Sequence, residues 1–184
     1  MKILLILGEQ PNWQGARHLS YHCHLGLEES LRNVEVEVTT LMNPFLRDAA
    51  SLLRGRKFDQ VWAEVFVNPY LDDEVCRWMA EAAPVRLGLC AESTVYSDEE
   101  FMVKPELATM SVRFRKRLPF LTHLALGDEV DPPRLRSEKL KTAWWVVSAN
   151  RELIQAPALP EVFQARFFGH VYGERKRWVE AEGV

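Results

Sequence analysis

Acidic and hydroxyl side chains follow two apolar runs of this chain, at the points where predicted strands end. Residues 91–96 (Ala-Glu-Ser-Thr-Val-Tyr) follow one run, and residues 127–131 (Gly-Asp-Glu-Val-Asp) follow the next. Carboxylates here can act as general bases or bind a metal, and hydroxyl groups can anchor a polar substrate. A structural role is the alternative for each, because Ser93 can cap the next helix and acids before Pro132 often only form turns. The candidates are Glu92 and Asp128 for catalysis and Ser93, Tyr96, Glu129 and Asp131 for substrate binding.

A third candidate site lies after the first apolar run, where Gly8 to Gly15 form a polar loop. Its glycines are too far apart for a dinucleotide-binding fingerprint, and it has no P-loop lysine and serine pair. The functional interpretation is a substrate-recognition loop, in which Trp13 stacks on a sugar or ring while Gln14, the Gly15 backbone and the nearby His18 bind it. The structural interpretation is a surface loop, and the sequence leaves both open.

Three histidines raise the question of a metal site. His18 and His22 would share one face of a helix, whereas His24 would point elsewhere. No carboxylate or cysteine completes a ligand set at the usual spacing, so we predict no metal site. A hydrolase has little support, since there is no Gly-x-Ser-x-Gly elbow and no cysteine with a convincing histidine partner.

Composition narrows the class of protein. The chain has 184 residues, 47% of them hydrophobic, and a net charge of -3, which fits one domain with a substantial core. Its charges are interspersed, and the single basic cluster at residues 113–117 is interpreted as a solvated helix face, so we expect no nucleic-acid partner. No segment has the apolar length of a membrane-spanning helix. Three widely spaced cysteines argue against disulfides and zinc and favour the cytoplasm.

Strands and helices alternate along the chain. Mostly apolar runs predict strands, and apolar residues at helical spacing predict the intervening helices. This order predicts an α/β fold, a doubly wound Rossmann-like parallel sheet covered on both faces, with ligands at the carboxyl ends of the strands. The strand at 34–40 alternates polar and apolar residues, which favours a place near an edge. The strands are predicted at 3–7, 34–40, 58–67, 85–90, 121–126, 143–147 and 165–168, and the helices at about 19–32, 44–53, 71–83 and within 91–121.

The last part of the chain predicts a domain boundary. Residues 157–160 (Pro-Ala-Leu-Pro) are the one stretch that resembles a linker. The apolar run at 165–168, the break at Gly169 and the amphipathic segment 172–178 then have the order of a strand, a turn and a helix. We therefore predict a Rossmann-like domain over 1–156, and a linker with the first strand and helix of a truncated second domain over 157–184.

Residues 168–175 (Phe-Gly-His-Val-Tyr-Gly-Glu-Arg) resemble the start of the second domain in GT-B glycosyltransferases, particularly the CgeB-like (spore maturation protein) and related group 1 families. In those proteins a Phe-Val-Gly strand precedes a Tyr-x-Glu-Arg turn and helix, and here Phe168 stands for the valine. Glu92-Ser93, and Leu121-Thr-His123 with the acids of 128–131, are similar to the loops of the family's first domain that face the second.

The resemblance implies a sugar transfer between two domains. The first domain, over 1–156, would bind a small-molecule or glycan acceptor through the three loops above, with Glu92 or Asp128 as general base. The second would hold a nucleotide sugar, the donor substrate of the full-length protein, approached here by Gly169, Tyr172 and Arg175. No metal and no covalently bound cofactor is implied. The basic residues that grip the diphosphate are missing, so we expect this chain alone to transfer no sugar.

Two other functions remain open at this point. One is a self-contained flavodoxin-like module that binds a small molecule or a nucleotide, although only Glu9 stands where a phospho-accepting receiver has an acidic pair. The other is a non-catalytic assembly domain whose C-terminal segment is exchanged between neighbouring chains. An apolar edge exposed by that segment would favour a homo-oligomer.

Overall fold

A six-stranded parallel sheet with helices on its faces forms the framework of the protein. The computed structural model describes residues 1–7, 27, 31–32, 36–42, 51 and 53–145. This confirms the predicted α/β, Rossmann-like parallel sheet. The strands are β1 (Lys2–Leu7), β2 (Glu37–Met42), β3 (Gln60–Glu64), β4 (Val85–Cys90), β5 (His123–Leu126) and β6 (Lys141–Trp144). The described helices are α1 (Asp73–Ala82), α2 (Asp98–Val103), α3 (Glu106–Arg117) and α4 (Asp131–Leu135), and Leu118–Phe120 form a 3₁₀ turn.

The strand order is β2-β1-β3-β4-β5-β6. The chain moves outward from β1 to β2 and then returns to place β3 on the other side of β1. The strand order therefore reverses between β1 and β3, and the crevice at their carboxyl ends is where open α/β sheets bind ligands. β2 lies at one edge, as its alternating sequence predicts.

Both faces of the sheet are covered by apolar side chains, and alternate residues of β1 pack into a separate core on each face. Ile3 to Leu7 are all completely buried. Leu4 and Ile6 belong to the core that α1 and α3 cover, where Met79 and Phe114 pack. The alternate residues Ile3, Leu5 and Leu7 face the opposite core, which includes Leu31, Val38 and Leu89. Burying each large apolar side chain stabilises the fold by about 2 kcal/mol.

The start of α1 shows how local sequence sets a helix boundary. The Asp72 carboxylate accepts hydrogen bonds from the amides of Glu74 and Val75, each at 3.0 Å, so the helix begins just after it. Acidic residues in the first turn also favour this end of the helix dipole. The helix then buries Val75, Cys76, Met79 and Ala82, which share the face toward the sheet.

The segment between β4 and β5 corrects two predictions. Ser97, and not Ser93, caps the first helix, because its side chain accepts from the Glu100 amide while Glu100 reaches back to the Ser97 amide. The basic cluster is not uniformly solvated either. Its other cationic side chains are exposed, but Arg117 is only 3% exposed and points into the protein.

Two strands differ in extent from the prediction. The strand predicted at 58–67 ends at Glu64, because the Glu64 carboxylate takes the amides of Phe66 and Val67 that a longer strand would offer to a neighbour. The strand predicted at 143–147 is β6, which begins at Lys141 and forms the other edge of the sheet as far as the chain is described. Trp144 is consequently 55% exposed.

Some predictions lie outside the described residues. They include the strand at 165–168, the domain boundary at 157–160 and most of the helices at 19–32 and 44–53. Within the part of the chain that is described, no helix has the length and apolar character needed to cross a bilayer.

Candidate functional site

The loops that follow β4 and β5 enclose an open depression at the carboxyl edge of the sheet. Its volume is about 460 Å³. We call it the acidic depression, because three of its lining side chains are carboxylates. The structure brings four of the candidate residues together here, Glu92, Ser93, Asp128 and Glu129. Among the described residues, its lining consists of Ala91, Glu92, Ser93, Gly127, Asp128, Glu129 and Trp144.

The two loops meet because their strands are parallel neighbours. Cys90 at the end of β4 pairs with Leu126 at the end of β5. The Gly127 amide then donates to the Cys90 carbonyl at 2.8 Å, which extends the pairing by one residue. A Cβ at Gly127 would lie 2.6 Å from the Ala91 carbonyl oxygen, so only glycine allows this close approach.

Asp131 links the two loops through hydrogen bonds to both of them. It is completely buried, and its Oδ2 accepts from the Thr94 amide at 2.7 Å. Its own amide donates to the Asp128 carbonyl at 3.4 Å. Oδ1 is buried and has no hydrogen-bond partner among the described residues. Asp131 was a candidate for substrate binding, and its burial in this structure places it in a supporting position.

The other acids of the depression are more accessible. Glu92 and Glu129 are exposed, and Asp128 is half-buried with its Oδ1 accepting from the Val130 amide at 3.1 Å. Asp128 therefore forms the local turn, as the structural alternative for this loop anticipates. The ion pair found in the described ranges joins Lys2 to Glu37, so no described lysine or arginine forms an ion pair with an acid of the depression.

Trp144 adds an aromatic wall that sequence reasoning missed. Its indole Nε1 donates to the Gly127 carbonyl at 3.3 Å, which holds the ring beside the depression. The signal was present, since two tryptophans lie within the apolar run at 143–147, but the run resembled a buried strand. Tyr96 lies elsewhere. Its ring packs against Phe66 and Phe101, with centroids 6.0 and 5.9 Å away.

Glu64 is a second feature that sequence reasoning missed. It is the last residue of β3, which pairs with β1, and it is 3% exposed. Its Oε1 accepts from the amides of Phe66 and Val67 at 2.9 and 3.0 Å, whereas Oε2 is buried without a partner in the described chain. Burial raises the pKa of Glu64 to about 7, although the backbone amides of Val67, Phe66 and Asn68 and the Arg117 charge oppose the shift.

Arg117 holds the loop that Glu64 begins. We call residues 65–72, between β3 and α1, the β3–α1 loop. The guanidinium donates to the carbonyls of Val65, Asn68 and Leu71, the last two at 2.7 and 2.9 Å. Burial lowers the pKa of Arg117 from its usual value. Glu64 therefore accepts hydrogen bonds from amides of the β3–α1 loop, while Arg117 donates hydrogen bonds to its carbonyls.

The described cysteines do not resemble catalytic thiols. Cys76 and Cys90 are buried and unpaired. Burial raises the pKa of Cys76 to about 11 and that of Cys90 well above its usual value. Both thiols therefore stay protonated at neutral pH, and a thiol is a poor nucleophile.

The remaining candidate residues lie outside the described residues. Across the described ranges, no group of three or more His, Cys, Asp or Glu side chains could hold a metal ion. These remaining candidates are Trp13, Gln14, Gly15, His18, Gly169, Tyr172 and Arg175.

Comparison with known proteins does not identify the chain. No family model matches it, and no curated protein matches it either. Its function is therefore inferred from the geometry of the site and from the sequence motifs.

Proposed function

We propose that this chain is the acceptor-side domain of a GT-B type glycosyltransferase and that the acidic depression receives a hydroxyl-bearing acceptor. The observation that carries the proposal is the meeting of three carboxylates with an exposed indole at the carboxyl edge of the sheet. The CgeB-like motif at residues 168–175 supports the same function from an independent part of the sequence.

The chemistry of the lining favours an acceptor over a donor nucleotide. Carboxylates accept hydrogen bonds from sugar hydroxyls, and a tryptophan face offers an apolar surface to the C–H groups of a sugar ring. A diphosphate would instead require cationic side chains or a row of amides. The part of the lining that the structure describes includes no lysine or arginine. We therefore assign the nucleotide sugar to a second domain, which Gly169, Tyr172 and Arg175 would approach.

Glu92 is the carboxylate best suited to act as the general base. Its side chain is exposed, and no described residue donates to its carboxylate, whereas Asp128 already forms a turn. In the proposed reaction, Glu92 takes the proton of the acceptor hydroxyl. The hydroxyl oxygen forms a bond to the anomeric carbon of the donor, and the nucleoside diphosphate leaves. A cytoplasmic location is part of the proposal, and the free thiols of Cys76 and Cys90 are compatible with it.

A flavodoxin-like binding module is the second candidate function. It is favoured by the strand order, which places the reversal between β1 and β3 as in flavodoxin-like sheets. A nucleotide or flavin would then bind in the crevice next to Glu64 and not in the acidic depression.

Ligand-observed NMR separates these functions. The chain would be mixed with neutral mono- and disaccharides, nucleotide sugars and flavin mononucleotide. We expect weak binding of saccharides that falls about tenfold in Trp144→Ala, as for loss of a stacking contact. Met102→Ala is the control, because Met102 is an exposed apolar residue that does not line the depression. Tight, stoichiometric binding of a nucleotide sugar or of the flavin to this chain would contradict the proposal.

Transfer itself needs the donor side. The gene would be read beyond the codon for Val184, and its product assayed with nucleotide sugars and the saccharides that bind the chain. We expect Glu92→Gln to reduce transfer by about a hundredfold or more, as for loss of a general base. A stop codon directly after Val184 would remove the proposal.

A further inference from the structure

The β3–α1 loop lies where a ligand-binding crevice is expected, and two buried charged groups hold it. Glu64 binds the amides of Phe66 and Val67. Arg117 binds three carbonyls of the same loop. The side chain of Asn68 accepts from the Tyr70 amide at 3.0 Å, which fixes the turn between them. The conformation of the loop thus depends on groups that water does not reach.

The second carboxyl oxygen of Glu64, Oε2, can be either charged or protonated, and the two states differ in how well they fit this buried position. Glu64 Oε2 is buried and receives no hydrogen bond from the described residues. A buried carboxylate oxygen without a donor is costly, whereas a protonated carboxyl removes the charge. Oε1 can still accept the two amides when Oε2 carries the proton. The closed loop therefore accommodates the neutral acid better than the anion.

We propose that Glu64 is a proton-operated latch on the β3–α1 loop, which stays closed while Oε2 carries a proton and opens to water after the proton leaves. Opening solvates the carboxylate, which is the reason that it becomes favourable. It also loosens the chain at the carboxyl end of β3. Loss of a proton near neutral pH thereby changes the conformation of a loop at the edge where open α/β sheets bind ligands.

The charged groups around Glu64 set the balance of this latch. Arg117 faces Glu64 from α3 and attracts the anion, and Cys90 faces it from β4. Cys76, Asp72 and Arg113 act on Arg117 in turn. Both thiols remain neutral across this range because burial raises their pKa values. Desolvation outweighs the attraction of Arg117, so the pKa of Glu64 lies at about 7 in the closed loop.

The latch is independent of the proposed function. It concerns a loop beside β1 and not the acidic depression, and it requires neither a sugar nor a second domain. A failure of the latch would leave the acceptor proposal in place, and the reverse is also true.

The test uses the intact chain labelled for NMR. The ¹³Cδ signal of Glu64 should titrate with a midpoint near pH 7, and Glu64→Gln should remove that signal and so assign it. Hydrogen exchange of the Phe66 and Val67 amides is measured at pH 6 and pH 8 and corrected for intrinsic exchange. We expect protection to fall about tenfold at the higher pH. The reason is linkage, because the pKa of Glu64 is about 7 in the closed loop and has its ordinary value in the open loop.

The variants sharpen this result. In Glu64→Gln the protection of both amides should no longer depend on pH. Glu138→Gln, which removes an exposed acid from another loop, should behave like the wild type. A ¹³Cδ midpoint below pH 5, or equal protection at pH 6 and pH 8, would overturn the proposal. The exchange comparison at pH 6 and pH 8 uses only the wild-type chain, so it stands even where the Gln variant does not fold.

Discussion

The β3–α1 loop and the acidic depression lie at the same edge of the sheet but use their acids in opposite ways. At the start of the loop, Glu64 is 3% exposed, and its Oε1 accepts hydrogen bonds from backbone amides of the loop. In the depression, Glu92 and Glu129 are exposed. The first arrangement fixes the chain and has little surface for a ligand, whereas the second leaves carboxylates free to bind one.

The difference follows from the cost of burying charge. An ionised group deep in the protein must be paired and hydrogen-bonded, or else it becomes neutral. Glu64 has the Arg117 charge nearby and still has a raised pKa. Exposed carboxylates have no such cost, so their loops need only local turns, such as the one that Asp128 forms. Stability should therefore depend on the first region and binding on the second.

Arg117→Met is expected to have the largest effect on stability. The substitution keeps apolar contacts but leaves three buried carbonyls without their donor and Glu64 without an opposite charge. We expect the free energy of unfolding to fall by about 3–5 kcal/mol, measured by urea denaturation. The matched control is Arg115→Met, an exposed position on the same helix, where a change within about 0.5 kcal/mol is expected. Equal effects at both positions would show that the Arg117 contacts contribute little.

Raising the pH is expected to cause the next largest loss of stability, through the loss of the Glu64 proton. The pKa of Glu64 rises from 4.5 to about 7 on folding, so the folded state binds this proton more tightly than the unfolded state. The stabilisation is fully present below pH 4.5 and is lost as the pH rises through 7. The loss amounts to about 3 kcal/mol. Urea denaturation of wild type and Glu64→Gln between pH 4.5 and 8 should show the wild type losing this amount relative to the variant. Parallel curves would contradict the raised pKa.

Gly127→Ala should have an intermediate effect on the free energy of unfolding, because the new side chain would clash where the backbones of the two loops of the depression approach closely. The new Cβ would lie 2.6 Å from the Ala91 carbonyl oxygen, and backbone cannot yield as a flexible side chain does. We expect a loss of about 2 kcal/mol. Gly55→Ala provides the comparison, since φ is +83° there and no atom lies within 4 Å of the new Cβ. Its backbone strain should cost about 1 kcal/mol. A larger loss at Gly55 than at Gly127 would be inconsistent with the close contact.

The sequence was sufficient to predict the sheet and one part of the site. Apolar runs separated by helical patterns identify parallel strands, and loops after neighbouring strands must share an edge. That rule brings Glu92 and Asp128 to the same edge, and the observed pairing of β4 with β5 brings them to one depression. The order of the strands does not follow from these patterns, because an apolar run at the centre resembles one nearer the edge. β6 illustrates this, since its apolar end carries an exposed Trp144.

Glu64 and Arg117 show why the buried polar groups escaped prediction. Glu64 stands alone among apolar neighbours, so the run resembled an uninterrupted strand, and no periodicity marks a side chain that turns back to its own backbone. Arg117 did leave a signal. It follows Leu107, Met110 and Phe114 at helical spacing and therefore lies on the apolar face of α3. Its charge had led to the opposite assignment.

Trp144→Ala should have the smallest effect on stability and a large effect on binding, which is the sharpest form of the comparison. The ring is 55% exposed and its described hydrogen bond is a single one at 3.3 Å, so the free energy of unfolding should change by no more than about 0.5 kcal/mol. Saccharide binding to the depression should weaken about tenfold. Urea denaturation and ligand titration of the same sample measure both quantities. If Trp144→Ala instead destabilised the fold as much as Gly127→Ala, the indole would be a structural part of the edge strand, and the depression would lose the aromatic wall on which acceptor binding is proposed.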